Sequence, residues 1–440
     1  MNRASWDPAL RAPTGWPLLA RPAVTFVALY LVAVAVAWWF MATHHLKPFP
    51  DWLEADEREY YDISSAILVG KIELTARRTL GFPLALAAIR HLRDDLVFLQ
   101  GTIVALYALS SPLLALVVRR IGGSALAGIV AGLALALWPP AVYYGTSLYS
   151  ETLALPVFLA ALALLPLGSR QRTAPSRRPV LAAIACGAVL GLATHVRPMY
   201  LLFTPFVALI VFAEEAPLRR AIARVALVAA GYCAVVLPWS AMMTARFHHP
   251  ILVTSNGGET LAGGLNPVLL RAEGAGTLAT KPRTTWYGPG KWLPLGQNGY
   301  LSEADQHLPY DRQDALLRAR TSAWIAGHPG DAARLELAKI GYMWGFVGAD
   351  RNGRDQLLFG NLPTIALLLA SIALLATARG ERLRLIRLWI VPLFVTGVAL
   401  ISWGSWRFRQ PADAALLGFC AIGVVEAWER RRRGRTSRVP

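Results

Sequence analysis

The stretch that decides the fold is "PAVTFVALYLVAVAVAWWFM" at residues 22–41, followed at residues 51–62 by "DWLEADEREYYD". The first stretch contains no charged side chain and is long enough for a helix to cross about 30 Å of hydrocarbon. The second stretch concentrates carboxylates and two tyrosines just after that helix would leave the membrane. Together they predict a membrane anchor with a polar site at one end.

The whole chain has the composition of an integral membrane protein. Of its 440 residues, 55% are hydrophobic and 16% are charged, and the mean hydropathy is +0.42. We predict an all-α polytopic protein with about ten transmembrane helices, the first of them a retained anchor rather than a cleaved signal. The predicted spans are residues 22–41, 96–118, 124–144, 152–167, 180–195, 199–213, 221–242, 362–378, 388–403 and 412–428.

The arginines predict how these spans are oriented. Basic runs occur before the first span, at 119–120, 169–178, 218–224 and 379–387, and after the last span at 429–438. With ten spans all of these runs fall on one side, which is the cytoplasmic side because basic loops resist translocation. Both termini are then cytoplasmic. The net charge of +17 is explained by this asymmetry and by membrane lipids as partners, so no nucleic acid is expected.

Two long segments face the opposite, extracytoplasmic side in this topology. The segment 42–95 contains two predicted interfacial helices, at 57–71 and 81–92. The segment 243–361 is a large loop with a glycine-rich stretch at 253–267 and two amphipathic helices between 311 and 344, broken at 328–330. No internal repeat is visible, so residues 1–440 are predicted to form one transmembrane domain capped by a small extracytoplasmic subdomain.

Acidic candidates lie on the extracytoplasmic side. Asp56 and Glu57 follow the first span, and a carboxylate there can act as a general base on a hydroxyl. Glu151 begins the fourth span, where ionisable groups usually face the protein interior. The alternatives left open are a hydrated loop for the first cluster and headgroup contact for Glu151. Asp51, Glu54, Glu59 and Asp62 are predicted to be solvated charges.

Basic candidates lie on the same side. Guanidinium groups bind phosphate through forked hydrogen bonds, whereas snorkelling to lipid headgroups is the alternative for each of them. The residues predicted to bind a lipid phosphate are Arg197, Arg407, Arg409, Arg77, Arg78 and Lys71.

Other chemistries lack their sequence signatures. The histidines have no metal-ligand spacing, and the three cysteines, Cys186, Cys233 and Cys420, lie within predicted spans as apolar packing residues. No phosphate-binding "GxxxxGK[ST]" motif and no "GxSxG" nucleophile elbow occurs, which argues against an ATP-driven pump. No cofactor or metal site is assigned, and a requirement for a divalent cation stays open.

Six stretches in this order resemble the membrane-embedded C-type glycosyltransferase (GT-C) superfamily, in the branch of protein O-mannosyltransferases and lipid A aminoarabinose transferases. They are "ADEREYYDISSAILVGK" (55–71), "YSETLALPVF" (149–158), "GLATHVRPMYLL" (191–202), "TSNGGETLAGGLNP" (254–267), "WIAGHP" (324–329) and "WRFRQPADAALL" (406–417). The resemblance implies the GT-C fold over nearly the whole chain.

The resemblance also implies an activity, with a polyprenyl-phosphate-linked sugar as donor and a glycan, lipid or protein as acceptor. The family's catalytic aspartate corresponds to Asp56, with Glu57 as its nearest rival, and Arg407 matches the position associated with the lipid phosphate. The implied enzyme is an inverting glycosyltransferase of a bacterial inner or plasma membrane with an extracytoplasmic active site. Residues assigned to donor or acceptor binding are Glu151, Tyr60, Tyr61, Asn256 and Asn266.

Two other functions stay open from the sequence. A transporter or flippase would bind lipid-linked saccharides on the same basic face without chemistry, although such proteins often have broken, polar spans. An inactive transferase relative could serve as a scaffold.

Overall fold

The computed structural model describes residues 21–53, 55–72, 74–121, 123–165, 178–214, 217–272, 300–346, 360–376 and 386–436. Every regular element within these ranges is a helix, which confirms the predicted all-α class. Parts of the predicted large loop, at 273–299 and 347–359, lie outside the described residues, as does most of the basic runs at 169–178 and 379–387.

The first eleven helices carry most of the predicted spans. They are α1 (Pro22–Phe40), α2 (Ala55–Leu68), α3 (Gly81–Leu92), α4 (Leu96–Ala108), α5 (Ser110–Ile121), α6 (Ala125–Ala136), α7 (Pro139–Gly145), α8 (Ser150–Leu164), α9 (Arg178–Val196), α10 (Thr204–Glu214) and α11 (Leu218–Phe247). A 3-10 turn, Pro198–Phe203, joins α9 to α10.

The remaining helices begin in the large loop and end in the bundle. They are α12 (Gly257–Gly264), α13 (Pro267–Ala272), α14 (Glu303–Gln306), α15 (Tyr310–Gly327), α16 (Pro329–Met343), α17 (Leu362–Ala376), α18 (Ile386–Ile401) and α19 (Gln410–Thr436). A second 3-10 turn, Trp406–Arg409, leads into α19. The predicted break at 328–330 lies between α15 and α16.

Five helical stretches are long and apolar enough to cross a membrane: Pro22–His45, Leu96–Ile121, Pro179–Val196, Leu218–Phe247 and Trp406–Arg432. The predicted span 124–144 is not one straight helix, because Pro139 and Pro140 interrupt it and α6 and α7 meet at 59°. The other predicted spans coincide with apolar helices of 10–17 residues. The number of ten crossings therefore stays a prediction.

Small residues allow the bundle helices to pack closely. A Cβ atom at Gly187 of α9 would lie 1.9 Å from the Val228 carbonyl oxygen of α11, and one at Gly231 would lie 2.1 Å from that of Ile184. Close backbone contact of this kind replaces the hydrophobic effect, which does not favour association between helices in lipid.

A polar layer, formed by α2 and α12–α16, covers one end of the bundle. Within it α12 rests directly on α15, since a Cβ atom at Gly258 would lie 1.9 Å from the Asp314 carbonyl oxygen. The segment before α12 is joined to the loop between α2 and α3 by a hydrogen bond from the Ser255 amide to the Ala76 carbonyl, 2.7 Å long. The functional site lies where this layer meets the helix ends.

Candidate active site

A cavity of about 1470 Å³ opens between the polar layer and the bundle. Its lining comes from the start of α2, the loop before α3, the α9–α10 junction, residues 249–260, α15 and residues 398–408. Large concave sites with a few convergent polar groups are the usual location of binding and catalysis. Charged side chains that line it include Asp56, Arg78, Arg197, Glu259 and Arg407.

Asp56 is held between two arginines. Arg78 Nη2 donates to one carboxylate oxygen at 2.7 Å, and Arg407 Nη2 donates to the other. Burial alone would raise the pKa of the Asp56 carboxyl, but the positive charges of Arg407 and Arg78 outweigh it and hold the pKa well below its usual range. Asp56 is therefore an ionised carboxylate in the cavity at physiological pH.

Glu57 points away from the cavity although it is the next residue. Its buried carboxylate accepts hydrogen bonds from the Lys47 ammonium group and from the Leu148 backbone amide, the latter at 3.1 Å. It links the chain after α1 to the start of α8. The structure thus separates the two acids of the predicted catalytic pair, because Asp56 lines the cavity and Glu57 does not.

Glu151 joins two arginines at the start of α8. Its buried Oε1 atom lies 2.6 Å from Arg197 Nη1 and 3.0 Å from Arg407 Nε. The Ser150 hydroxyl donates to the other carboxylate oxygen at 3.1 Å. This burial excludes the alternative in which Glu151 faces lipid headgroups.

The contacts continue on the far side of Asp56. Glu59 accepts hydrogen bonds from both Arg77 and Arg78, at 2.7–3.1 Å. Arg77 then forms a forked pair with Glu259, with both N···O distances 3.0 Å. The prediction that Glu59 is solvated is wrong, because two guanidinium groups bind it.

These residues form what we call the cavity network, an alternating chain of four arginines and four carboxylates drawn from six segments. The alternation makes its formal charge zero, so a bound anion would meet cations whose own charge is already balanced. In order of contact its members are Arg197, Glu151, Arg407, Asp56, Arg78, Glu59, Arg77 and Glu259.

Two arginines of the cavity network each have a guanidinium nitrogen that donates no hydrogen bond to a described residue. Among the described residues, none accepts a hydrogen bond from Arg197 Nη2 or Arg407 Nη1. Their guanidinium groups lie on the Phe408 ring, 4.4 Å and 5.2 Å from its centroid. Both side chains line the cavity, so each presents open donor capacity to a ligand.

Tyr60 and Asn256 line the cavity, as expected of donor- or acceptor-binding residues. The Tyr60 hydroxyl donates to Ser150 at 3.3 Å, and the Asn256 side-chain oxygen accepts from the Thr254 hydroxyl at 2.8 Å. Both residues therefore contribute polar groups to the cavity lining.

Four other predicted site residues lie away from the cavity. The Tyr61 ring packs under the Arg90 guanidinium at 4.0 Å, and the buried Asn266 amide hydrogen-bonds backbone groups of the α12–α13 corner. Lys71 is exposed. Arg409 is enclosed in the bundle by the Asp413 carboxylate, the Thr364 hydroxyl and a backbone carbonyl.

Sequence reasoning did not identify Glu259 and Tyr310. The Tyr310 hydroxyl donates a hydrogen bond to the Glu259 carboxylate. The pKa of Tyr310 is raised above its usual value, mainly by burial and also by the negative charge of Glu259. The only local signal was an acid in the glycine-rich stretch 253–267. The partner of Glu259, Arg77, lies 182 residues earlier in the chain.

No group of three or more histidine, cysteine, aspartate or glutamate side chains in the described part of the chain could hold a metal ion. The carboxylates of the cavity network are bound by arginines instead.

Neither a family model nor a curated protein sequence matches the chain. Among solved structures it is similar to the oligosaccharyltransferase AglB of Archaeoglobus fulgidus in complex with an inhibitory peptide and a dolichol-phosphate. The TM-score is 0.51 at 12% identity, covering 94% of this chain and 51% of that one. This chain therefore spans about half the length of the archaeal protein.

A second similar structure is ArnT from Cupriavidus metallidurans bound to undecaprenyl phosphate. The TM-score is 0.43 at 16% identity, over 94% of this chain and 79% of that one. At such identity a similarity establishes the fold alone, and the likeness to the archaeal oligosaccharyltransferase does so over most of the chain. The protein therefore has the GT-C fold of membrane-embedded glycosyltransferases, as its sequence predicts.

Proposed function

We propose that the protein transfers a sugar from a polyprenyl-phosphate carrier to an acceptor hydroxyl, with inversion at the anomeric carbon. One observation carries the proposal. Arg197 and Arg407 offer open guanidinium nitrogens to the cavity, and Arg407 also contacts the ionised carboxylate of Asp56. A phosphate bound by these arginines would place its attached sugar beside Asp56.

The surroundings of the two arginines suit a lipid phosphate. The cavity wall next to them is apolar and comes from the 3-10 turn after Arg197 and the end of α18. Leu202 and Ile401 of this wall are 40% and 55% exposed, and we propose that the prenyl chain of the carrier lies along them. The presence of a dolichol-phosphate in the archaeal structure with this fold supports the same class of donor.

The reaction then needs one base and one leaving-group site. The acceptor oxygen attacks the anomeric carbon while its proton passes to the Asp56 carboxylate. The bond between that carbon and the phosphate oxygen breaks, and its electron pair leaves with the polyprenyl phosphate. Arg407 and Arg197 stabilise the charge that develops on this phosphate.

Donor binding also makes Asp56 a stronger base. In the ligand-free protein two arginines lower the pKa of this carboxyl well below its usual range, which makes it a weak base. A phosphate on Arg407 brings additional negative charge close to Asp56 and so raises the pKa of that carboxyl. Proton transfer is therefore favoured only when the donor is in place.

The site belongs to the extracytoplasmic face in this proposal. Asp56, Glu151, Arg197 and Arg407 all follow or precede spans on the side opposite the basic runs. The proposal is supported by the cavity lining, which contains Asp56, Arg197 and Arg407, and by the contacts of Glu151 with both of these arginines. The acceptor is then a glycan, lipid or protein of the cell envelope.

Mass spectrometry of envelope glycans and glycolipids tests the proposal. Deleting the gene is expected to remove one sugar from a specific envelope component. The wild-type gene is expected to restore it, whereas Asp56→Asn at equal protein level is not. An unchanged envelope after deletion, or full restoration by Asp56→Asn, would contradict the proposal.

A further inference from the structure

The cavity has a second basic wall that the proposed chemistry does not use. Arg312 and Arg318 of α15 line it, and their side chains are 73% and 60% exposed. The neighbouring carboxylates, Asp311 and Asp314, are only 7% and 1% exposed. Asp311 and Asp314 also belong to the lining, but their carboxylates are buried, so the exposed charges along this wall are those of the two arginines.

Both buried carboxylates already have partners in the fold. Asp314 accepts the Glu259 backbone amide at 2.8 Å, and Asp311 pairs with His249 at 3.0 Å. Arg318 Nη2 donates one hydrogen bond to Asp314 at 3.2 Å, and Arg312 Nε has one longer contact with Asp311 at 4.0 Å. The other guanidinium nitrogens of both arginines bond to no described residue. Such nitrogens bind carboxylate and phosphate well.

Arg320, on the same helix, shows the contrast. Its Nη1 atom donates to the Asp305 carboxylate at 2.6 Å and to the Tyr300 carbonyl at 2.7 Å. Its side chain does not line the cavity. Open guanidinium groups on α15 are therefore found on its cavity face.

The second basic wall lies at the opposite end of the cavity network from the phosphate-binding arginines. Asp314 holds the backbone of Glu259, and the cavity network then runs from Glu259 to Asp56 and on to Arg197. An anion on Arg318 would therefore be separated from the donor phosphate, which limits their repulsion. Hydroxyl and amide side chains complete the wall, from Thr254, Ser255, Asn256, Thr260 and Ser322.

We infer that this wall is the acceptor subsite and that the acceptor carries a phosphate or carboxylate group, bound by Arg318 and Arg312. The inference rests on the proposed transfer reaction, because it assigns this cavity to a donor and an acceptor. It narrows the acceptor from any envelope hydroxyl compound to an anionic one.

Ligand binding to the full-length protein in neutral lipid nanodiscs tests the inference. Farnesyl phosphate at saturation fills the carrier subsite, and glucose 6-phosphate, glucuronate and glucose are then titrated. At least one of the two anions is expected to bind about tenfold more tightly than glucose, as charge-assisted hydrogen bonds predict. Arg318→Gln is expected to abolish most of this difference, and Arg312→Gln a smaller part.

Arg320→Gln is the matched control, since it removes the same charge from α15 outside the cavity. It is expected to leave the preference for anions unchanged. Retained farnesyl phosphate binding shows that the Arg318→Gln protein is folded. Equal affinity for glucose and both anions in the wild type, or a preference that survives Arg318→Gln, would overturn the inference. Loss of farnesyl phosphate binding in Arg197→Gln and Arg407→Gln tests the donor site separately.

Discussion

Arg407 and Arg409 lie two residues apart in one 3-10 turn but belong to different regions. Arg409 is 1% exposed and satisfies its nitrogens inside the bundle with the Asp413 carboxylate, the Thr364 hydroxyl and a backbone carbonyl. Arg407 lies in the cavity network, against three aromatic rings, with a nitrogen that no described residue engages. A buried ion pair whose hydrogen bonds are all formed stabilises the fold, whereas a cation in a cavity that still has free donors is suited to bind a ligand.

Asp56 and Glu57 repeat the contrast on the acidic side. Asp56 lines the cavity between two arginines, and Glu57 is buried against Lys47 and a backbone amide. We therefore expect substitutions at neighbouring residues of like charge to have different effects, one on activity and the other on stability. Each of the following variants tests that separation.

The largest effect is expected for Asp56→Asn. Loss of a general base should reduce kcat by about 10²- to 10⁴-fold, while farnesyl phosphate binding stays within about threefold of wild type. Glu57→Gln should keep most of kcat and lower the thermal stability instead. Steady-state transfer assays and thermal unfolding of both variants check this pair. Equal loss of kcat in both would break the comparison.

Arg409→Met is expected to destabilise the fold by about 3–5 kcal/mol, because it leaves Asp413 as a buried, unpaired carboxylate. Arg407→Met should retain a folded, monodisperse protein and lose transfer. Size-exclusion profiles and unfolding curves in detergent measure the difference. If Arg407→Met unfolded as readily as Arg409→Met, the assignment of Arg407 to the ligand would fail.

Arg197→Gln should weaken farnesyl phosphate binding by about 10- to 100-fold, the contribution of a charge-assisted hydrogen bond to phosphate. Arg93→Gln removes an exposed arginine outside the cavity and serves as the control, with no expected change. Titration of both proteins in nanodiscs gives the ratio of dissociation constants.

The smallest effect is a shift in pH dependence. Asp56 must be ionised to accept a proton, and two arginines keep its pKa low. Protonation of Asp56 should therefore cause no fall in kcat/KM for the donor above about pH 4. Arg78→Gln removes one of those charges and raises the pKa of Asp56. Activity of that variant should therefore fall at a higher pH than wild type when the pH is lowered. If the activity of Arg78→Gln fell at a lower pH than that of the wild type, the role of Arg78 would be contradicted.

Local pattern predicted the helical class. It also singled out Asp56, Arg197 and Arg407, which line the cavity, and Glu151, which lies behind the lining and contacts both of those arginines. It did so because span length, hydropathy and loop charge are properties of short segments. It could not separate Arg407 from Arg409, since both carry the same charge in one turn and only their packing differs. The pairing of Arg77 with Glu259, 182 residues apart, is likewise set by tertiary structure.

The most direct test follows the carrier itself. Purified protein in nanodiscs is supplied with polyprenyl-phosphate-linked sugars and envelope acceptors extracted from its source, and release of polyprenyl phosphate is measured by mass spectrometry. We predict release together with a new glycoside for the wild type, and neither for Asp56→Asn, which still binds farnesyl phosphate. Equal release by Asp56→Asn, or movement of the lipid-linked sugar across the bilayer of vesicles without any release, would contradict the account.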